Sequence, residues 1–134
     1  MTYTADAVAL LVYLVDSLPE SADRIFAEAE AGETIIQAPC TALAEVFHAI
    51  SRDKDVRGVL LDGSPEEARR ALVANGPVSV SPVGEQELVE YVKVNEEFNI
   101  HDGLIVASHY AQGTEAVITS DRVIRDAGVP TIWD

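Results

Sequence analysis

Four short apolar runs, Thr2 to Ala5, Thr34 to Ala38, Ala116 to Thr119 and Val129 to Trp133, are separated by segments in which apolar residues recur at helical spacing. That alternation leaves few folds open. Strands joined through helices run parallel, and a parallel sheet has to be covered on both faces. The expected class is α/β, a three-layer α/β/α sandwich around a central parallel sheet of four to five strands. At 134 residues the chain reads as a single domain, 1–134, large enough to bury about two-thirds of its surface without staples.

The helical segments carry their own punctuation. Val8, Leu11, Val12 and Val15 fall on one face, and Leu10 and Leu14 fill another, so the first helix is expected to be covered on most sides. Leu18-Pro19 ends it. A second stripe, Ala22, Ile25, Phe26 and Ala29, stops at Gly32. From Thr41 to about Arg52 the core stripe is Leu43, Val46, Phe47 and Ile50, with Glu45 off it beside Ala42 and Ala49. Val56, Val59 and Leu60 fit a short helix ending at Gly63, and Ser64-Pro-Glu-Glu67 is a capping box opening another up to Asn75-Gly76. Val78 to Val83 reads as a peripheral strand, because Pro82 cannot donate to a ladder. Gly84 to Phe98 is an acidic helix with Leu88, Tyr91 and Val92 expected inward and Lys93 paired to Glu97 outward. Asn99 then caps a helix with Leu104, Ile105 and Ala111 inward, closed by Gly113.

Charge narrows the partners less than it first promises. Asp and Glu number 23 against nine Lys and Arg, a formal −14, and Lys54 and Lys93 are the only lysines. Such a surface repels phosphate at low salt, but at about 1 M ionic strength the Debye length is about 3 Å and the repulsion survives only at contacts. An acidic, lysine-poor surface of this kind is halophile-like. Ala7 to Val15 is shorter than the roughly 20 residues a membrane helix needs, and no Lys or Arg precedes it as in a signal peptide. The expected location is cytoplasmic. The single cysteine, Cys40, rules out an internal disulfide and reads as an inert packed thiol.

Four acids carry the candidate chemistry. Asp6 ends the first strand, Glu45 lies about one turn into the helix after the second, Asp102 opens the helix leading to the next buried strand, and Asp121 closes that strand. In open α/β sheets ligands bind beyond the carboxyl ends of the strands, where all four can converge. Carboxylates held together raise one another's pKa, so they share a proton or are neutralised by a hard cation such as Mg²⁺ or Mn²⁺. Each also has a plainer reading: Asp102 completing a capping box from Asn99, Asp121 as an N-cap, Glu45 as a solvated helix position. His48, His101 and His109 read as surface or packed histidines, and no glycine-rich phosphate loop or nucleophile elbow is present.

Four segments, Asp6-Ala-Val-Ala-Leu-Leu11, Ala42-Leu-Ala-Glu-Val46, His101-Asp-Gly-Leu-Ile-Val-Ala107 and Thr119-Ser-Asp-Arg122, give the chain its resemblance to the PIN-domain family. In size it looks like the VapC-like toxin ribonucleases of type II toxin–antitoxin systems. The resemblance implies a Mg²⁺- or Mn²⁺-dependent endoribonuclease that is a homodimer and is inhibited by a cognate antitoxin. It would make Asp6, Glu45, Asp102 and Asp121 the catalytic, metal-binding quartet, with metal-activated water as the nucleophile. Val8 stands where the family commonly has a small polar residue, and Val123 where many members carry another acid. Arg52, Lys54, Arg57, Arg122 and Arg125 are the candidate contacts to substrate phosphate.

Two other readings remain open: a PIN-domain ribonuclease of RNA processing with no toxic role, and a PIN-like module that binds RNA or protein without cutting. A phosphoacceptor receiver domain is set aside, since it needs a lysine at the end of a late strand and none follows Lys93.

Overall fold

In the structure, a computed structural model describing residues 1–53 and 55–134, β1 (Thr2–Ala5) leads through α1 (Ala7–Leu14) and α2 (Glu20–Glu30) to β2 (Ile35–Pro39). Next come α3 (Cys40–Ser51), the short β3 (Asp55–Val56) and β4 (Val59–Leu60), and α4 (Pro65–Arg69), which runs on as a π-helical turn over Arg70–Ala74. The chain closes with β5 (Val78–Ser81), α5 (Glu85–Val94), α6 (Ile100–Gln112), β6 (Val117–Ile118), α7 (Arg122–Asp126) and β7 (Thr131–Ile132). The sheet order is β5-β2-β1-β6-β7, and every pairing in it is parallel. Helices flank this five-stranded sheet as the alternation requires, and β5 sits at its edge as Pro82 demanded.

The core runs along β1 and its neighbours. Ala5, Ile36, Ala38, Val117 and Ile118 are fully enclosed, and Leu10, Phe26, Val46 and Ile124 close over them. Phe26 stacks on Tyr13 at 4.6 Å between centroids, which fixes α2 against α1. The capping box forms as expected, with Glu67 N donating to Ser64 Oγ at 3.1 Å and Ser64 N to Glu67 Oε1 at 3.2 Å.

Several expectations fail for definite reasons. Val56, Val59 and Leu60 do not form a helix. They make an antiparallel hairpin, because Arg57 and Gly58 both take positive φ, 53° and 78°, and that pair of left-handed residues turns the chain back on itself. The inward face of α5 is also different: Leu88 and Val92 are exposed, and Glu87 is buried instead. Glu87 accepts from Gly84 N at 2.8 Å and from Gln112 Nε2 of α6 at 2.9 Å; those hydrogen bonds hold its pKa below the usual carboxylate range. Lys93 pairs with Glu90 at 3.0 Å rather than with Glu97. Cys40 is exposed at the start of α3, not packed, and Val8 is exposed on α1, as is Ile35 on the strand expected to be buried.

The two helices that deliver Asp102 meet closely. A Cβ on Gly103 would lie 2.8 Å from Tyr91 Cε1, so α6 approaches α5 as near as it does only because position 103 has no side chain. Gly103→Val is expected to destabilise the protein by about 1–3 kcal/mol in urea melts. Adding Tyr91→Ala should cost less than the sum of the two single changes, because the ring that meets the new side chain is gone.

Candidate active site

Asp6 follows β1 directly and caps α1. Its Oδ1 accepts from Ala9 N at 2.9 Å, and its Oδ2 accepts a short hydrogen bond from Thr119 Oγ1. Sheet register brings these two residues together: Ala5 is paired with Ile118, so the next residue on each strand, Asp6 and Thr119, lies alongside. The same Thr119 hydroxyl oxygen accepts from Asp121 N at 3.0 Å. Asp121 in turn caps α7, its Oδ1 accepting from Val123 N at 2.7 Å and from Ile124 N at 3.4 Å. The plainer reading of Asp121 as an N-cap is therefore correct as far as it goes, and Thr119 is the positioning residue that sequence reasoning left out. Its only signal was its place in the Thr119-Ser-Asp121 segment.

Asp102 sits in the first turn of α6, with its backbone N–H donating to Asn99 Oδ1 at 2.8 Å. Burial, then a hydrogen bond with the Asp121 carboxyl and the charges of Asp121 and Glu45, push the Asp102 pKa up to about 6. Asp6 is only 7 % exposed, and burial pushes its pKa up to about 6 against the hydrogen bonds from Thr119 and Ala9, with the charges of Asp102 and Asp121 adding to the rise. The four sequence-derived acids thus form a chain of interacting carboxylates, Asp6 reaching Asp102 and Asp121, and Asp102 reaching Glu45.

Glu45 is tied elsewhere as well. His101 Nδ1 lies 2.8 Å from Glu45 Oε1, a contact between α6 and α3 that spacing alone does not reveal. As the side chains stand, no three acids, histidines or cysteines among the described residues are arranged to hold one metal ion. Asp102 and Asp121 are the residues that would hold a cation, with Glu45, whose Oε1 is engaged by His101, beside them. His109 is buried, its Nδ1 2.7 Å from Thr114 Oγ1, and takes no part in the site. His48 is exposed and lines a groove of about 760 Å³ between α1 and α3, with Glu45, Arg52 and His101.

Of the candidate phosphate contacts, Arg122 and Arg125 line an open cleft of about 670 Å³ beside Asp121, Arg52 lies in the groove by His48, and Arg57 lies over the Trp133 ring at 5.8 Å. Lys54 lies outside the described residues.

No family model and no curated protein sequence matches this chain. Solved structures do. Across its full length the chain superposes on a chain of the VapBC2 structure of Rickettsia felis, bound to a DNA fragment from its promoter, with a TM-score of 0.72 at 14 % identity and full coverage of both chains. It superposes on Mycobacterium tuberculosis VapC20, described as a sarcin–ricin loop cleaving toxin, with a TM-score of 0.68 at 16 % identity, covering 98 % of this chain and 99 % of that one. The chain has a VapC-like PIN fold. At these identities the likeness speaks to the fold alone. No helix among the described residues is long and apolar enough to cross a membrane.

The raised carboxylates set a pH dependence. Between 3.8, the ordinary Asp value, and about 6, Asp6 keeps its proton in the folded state and loses it in the unfolded one, so stability falls as pH rises through that window. Chemical denaturation is expected to give a protein more stable at pH 5 than at pH 8. Asp6→Asn, which keeps the cap, should flatten the dependence and gain about 1–3 kcal/mol at pH 8, at about 1.4 kcal/mol per pH unit.

Proposed function

We propose that this protein is a Mg²⁺- or Mn²⁺-dependent endoribonuclease of the toxin type. The observation that carries the reading is the gathering of four acids at the carboxyl edge of a VapC-like sheet, with Asp6 and Asp121 joined through Thr119, Asp102 in the first turn of α6, and Glu45 against the neighbouring His101. Supporting it, a protein of the same fold, VapC20, is a sarcin–ricin loop cleaving toxin. Asp102 and Asp121 would hold the cation, with Asp6 and Glu45 completing the quartet. When bound, the ion supplies an activated water and neutralises charge at the leaving oxygen. Asp6, fixed by Thr119 and the α1 N-terminus, keeps a buried negative charge at the floor of the site. Thr119 sets the spacing between that charge and Asp121. Arg122 and Arg125, on the turn after Asp121, contact the phosphodiester. The reading carries with it a cognate antitoxin that blocks the same edge and a homodimeric, cytoplasmic protein.

A second reading, a module that binds RNA or protein without cutting, is favoured by one observation: Glu45 is engaged by His101, and no three ligand-type side chains among the described residues stand ready for a metal. Titration calorimetry with Mn²⁺ separates the two. RNA should be cut in Mg²⁺ or Mn²⁺ and spared in EDTA, and Asp102→Asn should cut at least a hundredfold more slowly with an unchanged or raised Tm. Cutting by that variant at the wild-type rate refutes the site; absent heat of binding together with intact RNA selects the module.

A further inference from the structure

The cleft beside Asp121 gathers basic side chains on an acidic surface. Of nine Lys and Arg in the chain, Arg24, Arg122 and Arg125 line this one cleft, and Arg57 stacks against the indole that forms part of its wall. Arg69 and Arg70 are bound to Glu66, and Lys93 to Glu90. In the cleft, Arg24 pairs with Glu20 at 3.3 Å and Arg125 with Asp126 at 3.4 Å, both between exposed groups, and such pairs are weak enough for a phosphate to displace. Arg122 has no ion pair among the described residues. Trp133, the only tryptophan, is anchored by its backbone carbonyl, which accepts from Ala22 N at 3.0 Å. The cleft thus joins three planar guanidinium forks, which match phosphate geometry and outnumber its two acids, Asp121 and Asp134, to one aromatic ring, and it opens directly at an acid of the site.

We propose that this cleft is a subsite for single-stranded RNA, in which Arg24, Arg122 and Arg125 hold the phosphodiester backbone and an unpaired base stacks on Trp133 in place of the exposed Arg57 guanidinium, whose cation–π contact at the surface is weak. Arg24 comes from α2 and Trp133 follows β7, so the strand is gripped from two sides and led to Asp121. An acidic peptide would use the arginines but has no need of the indole, and a duplex presents no free base face. The inference rests on the ribonuclease reading for its substrate class, yet the two can fail separately.

The lone tryptophan provides the readout. With EDTA present to prevent cutting, a short oligouridylate is expected to quench Trp133 emission in a saturable way, while a duplex of equal length leaves it unchanged. Arg24→Ala, an exposed substitution, should weaken binding several-fold and make the slope of log K against log salt shallower by about 0.7, the value of one single-strand phosphate contact. Trp133→Ala should weaken binding about tenfold, read by anisotropy of labelled RNA. Quenching without cutting in Mg²⁺ or Mn²⁺ supports the subsite and removes the nuclease reading. Cutting without quenching overturns the subsite and leaves the nuclease. Equal quenching by polyglutamate, or an unaltered slope in Arg24→Ala, also overturns it.

Discussion

One hydroxyl oxygen joins the two turns on which the site is built. Thr119 donates to Asp6 and accepts from the backbone of Asp121, and it does so in a buried position, 2 % exposed, where an unmade hydrogen bond is costly. Because β1 and β6 are parallel and in register, the residues just past their ends are forced side by side, and Asp6 starts α1 where Asp121 starts α7. Both acids are therefore structural caps before they are anything else. Their cap bonds use part of each carboxylate, and their remaining negative charge is felt at Asp102. A fold indifferent to function would put a neutral cap such as Ser or Asn at one of these places; here burial first, and the neighbouring carboxylates after it, raise the pKa values of Asp6 and Asp102.

Glu45 stands apart from this arrangement. It comes from the middle of a helix, off the core stripe, and nothing in α3 fixes its rotamer; His101, adjacent to Asp102, does so from outside. The quartet accordingly has a rigid part and an adjustable one. Asp6 and Asp121 are held by backbone N–H groups and Thr119, whereas Glu45 is held by one side-chain contact, to His101.

The elements legible in the sequence were those with local causes. Asn99, the Ser64 box, Gly113 and the apolar stripes of α2 and α3 act within one or two turns, so spacing reveals them. What escaped depends on contacts across the chain. The α5 face was misread because Leu88 and Val92 look like core and Glu87 does not, yet Gln112, 25 residues away, makes the buried carboxylate the better fit. The β3–β4 hairpin turns on a non-glycine residue, Arg57, in the left-handed region, a conformation few would assign to arginine. The four acids were found through their order and resemblance; that Thr119 ties two of them and His101 a third required the folded geometry.

The proximity of the acid edge to the arginine cleft is what would let so negative a protein meet the polyanion proposed as its substrate. Asp121, Arg122 and Arg125 occupy one short turn of chain, and all three line the cleft, the acid where the cleft meets the site. Two electrostatic effects of opposite sign then act over different distances. Repulsion from the net −14 is long-ranged and is screened within about 10 Å at 0.1 M salt, whereas the guanidinium–phosphate contacts are short-ranged and weaken through counterion release. Added salt removes the repulsion while it erodes the contacts, so the total salt slope understates how many phosphates are held. The change in slope on deleting one arginine is free of that cancellation, because one charge in a cleft barely alters the far field, and it is this difference that counts phosphates in an acidic protein.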